Sequence, residues 1–80
     1  MRYSAIAEAA PEGGWVVAVP SLRGAVTQGE DWADAEYMAR DLIATVFDVS
    51  IQSVEVDLAE VCTGGVDSVV DAWHTKAQIT

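Results

Sequence analysis

"GGWVVAVPSLRGAVTQGEDWADA", residues Gly13 to Ala35, compresses a turn, a strand, a loop and a helix start into one short stretch. Its glycines close the segment "APEGG", in which Pro11 presets its own φ and Gly13 and Gly14 admit positive φ. Trp15 to Val19 is apolar at every position, as in a strand that needs cover on both faces. Pro20 removes a ladder donor and ends that strand. The loop "SLRG" leads to a short third strand, Ala25 to Gln28, and Gly29 punctuates the chain again. Asp31 then suits a helix N-cap, with Asp34 at N3 and the carboxylates of Glu30, Asp31 and Asp34 near the positive end of the helix dipole.

Outward from this stretch the periodicities continue. Arg2 to Ala9 alternates, with Tyr3, Ala5 and Ala7 on one side and Ser4, Ile6 and Glu8 on the other, which predicts a first strand. Ala35, Met38, Ala39, Leu42, Ile43 and Val46 recur at three-and-four spacing, predicting one buried face of a helix from Trp32 to about Phe47. Trp32 falls beside that stripe, whereas Ala33, Tyr37 and Ala44 share the outward side with Arg40, Asp41 and Asp48, and Glu36 is placed to pair with Arg40. In "SVEVDLAEV", Ser53 to Val61, Val54, Val56 and Leu58 point inward and Glu55 and Asp57 outward, a strand with one wet face. After Thr63, Gly64 and Gly65, the spacing of Val66, Val69, Val70 and Trp73 predicts a short closing helix to about Lys76.

The expected fold class is therefore α+β, in the order β-β-β-α-β with a short C-terminal helix. Three strands run antiparallel, and the fourth joins in parallel through a right-handed crossover. One domain fills residues 1–80, with its core in 2–61 and an extension in 62–80. The long helix covers one face of the sheet. Val16 and Ala18 oppose Trp15, Val17 and Val19, so whichever set it buries leaves the other on the far side. Val16 and Ala18, with Val69 and Trp73 of the closing helix, are thus the expected interface of a homodimer or higher oligomer. A chain of 80 residues buries only about 60% of its unfolded surface, so association helps it.

Thirteen acidic residues against four basic ones give a net charge of −9, which repels nucleic-acid backbones and attracts a basic partner. Cys62 is the lone cysteine, so no internal disulfide or thiolate metal cluster is expected, and it reads as a small buried apolar residue. The polar N-terminus does not read as a signal peptide, and no apolar run approaches the roughly 20 residues of a membrane span. The expectation is a soluble cytoplasmic protein without membrane contact. No P-loop, metal-ligand spacing or positioned His74 nucleophile partner is visible, so no cofactor, metal or catalytic residue is assigned.

The opening stretch resembles the signature segment of HicB-type antitoxins, in which two glycines and an aromatic strand precede a proline loop, a "TQG" turn and a capped helix. Gly13, Gly14, Trp15, Pro20, Leu22, Gly24, Thr27, Gln28 and Gly29 carry the match, and the resemblance extends over about Tyr3 to Leu58. It implies a partial RNase H-like fold that binds and silences a HicA-type toxin, a small basic ribonuclease acting on mRNA. On that reading Pro20, Leu22 and Arg23 of the loop and Glu30, Asp31 and Asp34 of the helix start bind the toxin. Ser21, Arg23 and Ala25 depart from the Asp, Pro and Cys of the family's loop. The segment after Val61 is too short for the helix-turn-helix or ribbon-helix-helix domain that many members append, so none is expected.

Two other functions compete. One is a stand-alone adaptor or dimerisation domain with no cognate toxin. The other is a small RNase H-like hydrolase, for which Glu8, Glu36 and Asp57 lie on the right elements. Asp57 on a wet face and a satisfied Glu36 count against the hydrolase. A neighbouring gene for a basic protein separates the antitoxin from the adaptor, and metal-dependent RNA cleavage marks the hydrolase.

Overall fold

The computed structural model describes the backbone of residues 1–79 and the side chains of residues 1–73. β1 (Arg2–Ala9), β2 (Trp15–Ala18), β3 (Val26–Gly29) and β4 (Glu55–Glu60) form one sheet in the order β3-β2-β1-β4. α1 (Trp32–Phe47) separates β3 from β4, and α2 (Gly65–Ile79) follows β4. β1 pairs antiparallel with β2, from Ile6 opposite Ala18 to Ala9 opposite Trp15. β2 pairs antiparallel with β3, from Trp15 opposite Gly29 to Ala18 opposite Val26. β4 returns parallel to β1, from Arg2 opposite Glu55 to Ala7 opposite Glu60. This is the α+β arrangement expected from the sequence.

Local chemistry accounts for the element ends. Gly13 and Gly14 turn the first hairpin at φ 104° and 80°, closed by the Gly13 amide donating to the Ala10 carbonyl at 3.0 Å. At the start of α1, Asp31 Oδ1 accepts from the Asp34 amide at 2.7 Å, while Asp34 Oδ2 accepts from the Glu30 amide at 2.8 Å. One orphan donor of the first turn is thus satisfied by the N-cap acid, and the Asp34 carboxylate reaches back to the amide just before the cap. α1 ends on Asp48 in the left-handed region, φ 54°, with the Val49 amide returning to the Ala44 carbonyl at 3.0 Å. A 3-10 turn, Ile51–Ser53, capped by the Ser50 hydroxyl, leads into β4; the sequence reading did not anticipate it.

α1 packs on one face of the sheet over a core of small residues, including Ala5, Ala7, Val17, Val19, Ala35, Ala39, Ile43 and Val54. Two expectations for this helix are corrected. Val46 is 54% exposed and Ala44 only 5%. The buried line follows the row Ala35, Ala39, Ile43, each member turned about 40° around the axis from the last, so by the last turn it has left Val46 behind and reached Ala44. Phe47 continues the row by stacking on Tyr3, ring centroids 5.6 Å apart. Nor does Arg40 pair with Glu36. Its Nε donates to the Val54 carbonyl at 3.0 Å, since satisfying a half-buried backbone acceptor outweighs a surface pair worth a few tenths of a kcal/mol.

α2 lies on the opposite face against β1 and β2, burying Val66 and Trp73 over Ala18, with Ile6, Val16, Val69 and Val70 around them. The residues expected at an oligomer interface, Val16, Ala18, Val69 and Trp73, therefore meet within one chain, where α2 covers this face of the sheet through Val66, Val69, Val70 and Trp73. Glu8 of β1 caps it, accepting from the Val66 amide at 3.2 Å. Cys62 is exposed rather than buried, because it falls in the turn between β4 and α2, beyond either packed face. Among the described residues no helix is long and apolar enough to cross a membrane.

Candidate functional site

The six residues expected to bind a partner divide into two groups. β2 and β3 are antiparallel, so the loop after β2 lies at the Ala18–Val26 end of their ladder, and the acidic helix start after β3 lies at the Trp15–Gly29 end. A four-residue strand separates the groups by roughly 10–13 Å. A partner touching both must lie along the hairpin.

At the loop end, three bonds of 3.0 Å close a tight turn: Val19 amide to Ala25 carbonyl, Leu22 amide to Val19 carbonyl, and Ala25 amide to Leu22 carbonyl. Gly24 completes it at φ 82°, where a side chain is strained. Pro20 is exposed, while Leu22 turns back onto the core and is half-buried. Arg23 is exposed, but its guanidinium donates to the Trp73 carbonyl at 2.5 Å, and Trp73 Nε1 donates to the Pro20 carbonyl at 3.3 Å. The loop is therefore stapled to α2, a role for Arg23 that sequence spacing did not reveal.

At the other end, Glu30 and Asp31 are exposed and Asp34 half-buried. The cap contacts occupy one oxygen each of Asp31 and Asp34, leaving further lone pairs for an incoming cation. Beside them an open cleft of about 470 Å3 is lined by Gly13, Gly14, Gln28, Gly29, Glu30, Asp34 and Met38. Gly29 lets α1 approach: a Cβ there would lie 2.5 Å from Ala35 Cα. Trp15 and Trp32 meet edge to face with centroids 5.0 Å apart. Gln28 and Met38 were not anticipated as lining residues, although Asp34 and Met38 stand one turn apart on the same helix face.

The three acids that suggested a nuclease do not converge. Glu8 and Asp57 sit on β1 and β4 with side chains on the α2 face of the sheet, and Glu36 is on α1 across it. Glu8 is occupied by the α2 amide, and Asp57 pairs with Arg2 at 3.0 Å with both side chains exposed. Among the described residues no three His, Cys, Asp or Glu side chains come together as a metal site.

No family model matches the chain, and no solved structure matches it. Two curated proteins do: Antitoxin HicB of Escherichia coli strain K12 and Antitoxin HicB of Escherichia coli O157:H7. Each is 39% identical to this chain over 56 residues, which is 70% of this chain and 41% of the relative. The shared region is thus less than half of either relative. Over that shared region, which takes in most of this chain, the sequence is similar to the HicB-type antitoxins.

Proposed function

We propose that this chain is a cytoplasmic antitoxin that neutralises a basic, mRNA-cleaving toxin of HicA type by protein–protein contact. The observation that carries the reading is the 39% identity to proteins named Antitoxin HicB. The net charge of −9 supports it, since an acidic surface accelerates encounter with a basic partner. On this reading the toxin lies along the β2–β3 hairpin, touching Pro20, Leu22 and Arg23 at one end and Glu30, Asp31 and Asp34 at the other. The chain itself does no chemistry and holds no nucleic acid. A homodimer or larger assembly belongs to the same proposal, motivated by a core built mainly of Ala and Val; a monodisperse monomer at about tens of micromolar in light scattering removes it.

Co-expression with the product of the neighbouring gene is the direct test, with co-purification and suppressed RNA cleavage the expected result. Replacing Glu30, Asp31 and Asp34 together by Gln, Asn and Asn keeps polar caps while removing three charges. Affinity should fall more at about 50 mM than at about 500 mM salt, because screening shortens the reach of the lost charges. A loss equal at both salts rejects the acidic end as the steering surface, and an adjacent product that never associates rejects the antitoxin reading in favour of the adaptor.

A further inference from the structure

β4 forms an edge of the sheet, and its hydrogen bonds show which way each amide faces. The Glu55 amide donates to the Met1 carbonyl at 2.7 Å, and the Val61 amide donates to the Ala7 carbonyl at 2.9 Å. Odd-numbered positions therefore face β1, and strand alternation turns the amides and carbonyls of Val56, Leu58 and Glu60 outward. One step earlier, the outward Val54 carbonyl is taken by Arg40 at 3.0 Å. From Val56 onward nothing among the described residues bonds to this edge, and α2 packs on β1 and β2 instead.

The two faces flanking that edge differ. On the α1 side, Val56 and Leu58 are only half-buried, leaving apolar surface at the margin of the core. On the other side Glu55 and Asp57 are exposed, Asp57 paired with Arg2 at 3.0 Å, while Glu60 stands exposed on the Val56 and Leu58 side at the strand end. A second copy pairing antiparallel along β4 would set these like charges against one another, which is unfavourable across strands. A strand carrying Lys or Arg on that side meets the opposite sign.

We infer that the outer edge of β4 takes up an extended segment of another protein by strand addition, one whose side chains alternate basic and apolar. Its basic residues lie beside Glu55 and Asp57, its apolar residues beside Val56 and Leu58, and its backbone bonds the free groups of Val56, Leu58 and Glu60. This surface is independent of the antitoxin reading, since it lies across the sheet from the β2–β3 hairpin.

The test uses the full chain and a capped peptide of alternating Arg and Val, about eight residues long to match a strand. Amide NMR shifts on titration should concentrate at Val56, Leu58 and Glu60. Glu60→Pro removes an outward donor and no β1 bond, so it should weaken binding about tenfold while the β1–β4 amides stay protected. Replacing Glu55 and Asp57 by Lys keeps every backbone donor and should reverse the preference, so that an alternating Glu and Val peptide now binds better. Unchanged affinity in Glu60→Pro, shifts centred on Glu30 and Asp34, equal binding of the acidic peptide to the unaltered chain, or a dimer formed through β4 would each overturn the inference.

Discussion

A methyl group at Gly29 would sit 2.5 Å from both the Cα and the amide nitrogen of Ala35, with backbone that cannot yield. Gly29→Ala should therefore push α1 off the sheet and destabilise the fold by about 1–3 kcal/mol or more, read as a lower urea midpoint. Gly24→Ala is the control: its Cβ meets open space, so only the strain of φ 82°, about 1–2 kcal/mol, is felt. Asp48 makes the opposite case. It holds φ 54° without being glycine and sets a carboxylate at the negative end of α1. Asp48→Gly should stabilise by about 0.5–1 kcal/mol by relieving both. The residue chemistry of this helix was half legible: the Asp31 cap follows from residue type and spacing alone, whereas a left-handed Asp48 does not, because the left-handed helix end is chiefly a glycine position and no glycine stands there.

At the scale of elements, the contacts that tie the helices to the sheet are the ones the sequence hid. Local periodicity shows which face of α1 is apolar, but Arg40 reaching the Val54 carbonyl depends on where the chain returns. Glu8 capping α2 joins residues 58 apart in sequence, which no window along the chain can contain. Glu8→Ala should strip about 0.5–2 kcal/mol from the docking of α2. Hydrogen exchange should then show faster amides in α2 and unchanged ones in α1, and uniform loss of protection would contradict this. The candidate site was legible in the same partial way. All six of its residues were named from the signature segment, yet their separation to opposite ends of a hairpin became visible only with the register, and the cleft beside Met38 only with α1 in place.

For the molecule as a whole, a net charge of −9 is accompanied among the described residues by a single ion pair, Arg2 with Asp57, whose side chains are 67% and 58% exposed. Such a pair contributes about 0–1 kcal/mol, so self-repulsion dominates. Raising NaCl from about 10 mM to about 500 mM should increase the thermal midpoint, as the Debye length shrinks from roughly 30 Å to a few ångströms; a flat or falling midpoint would show repulsion to be unimportant. Trp73→Ala should uncover the far face of the sheet, costing about 3–5 kcal/mol and raising the scattering mass as the exposed surfaces associate. The parallel pairing of β1 with β4 also sets an order of events on the ribosome. Arg2 must wait for Glu55 to be made, an interval of roughly 3–10 s at ordinary elongation rates. Until then the strand synthesised first, which ends at the centre of the sheet, has one edge bare. A transcript broken before β4 would release a chain with that edge permanently open, exposing the long first strand to aggregation where the finished protein presents only the acid-bearing β4.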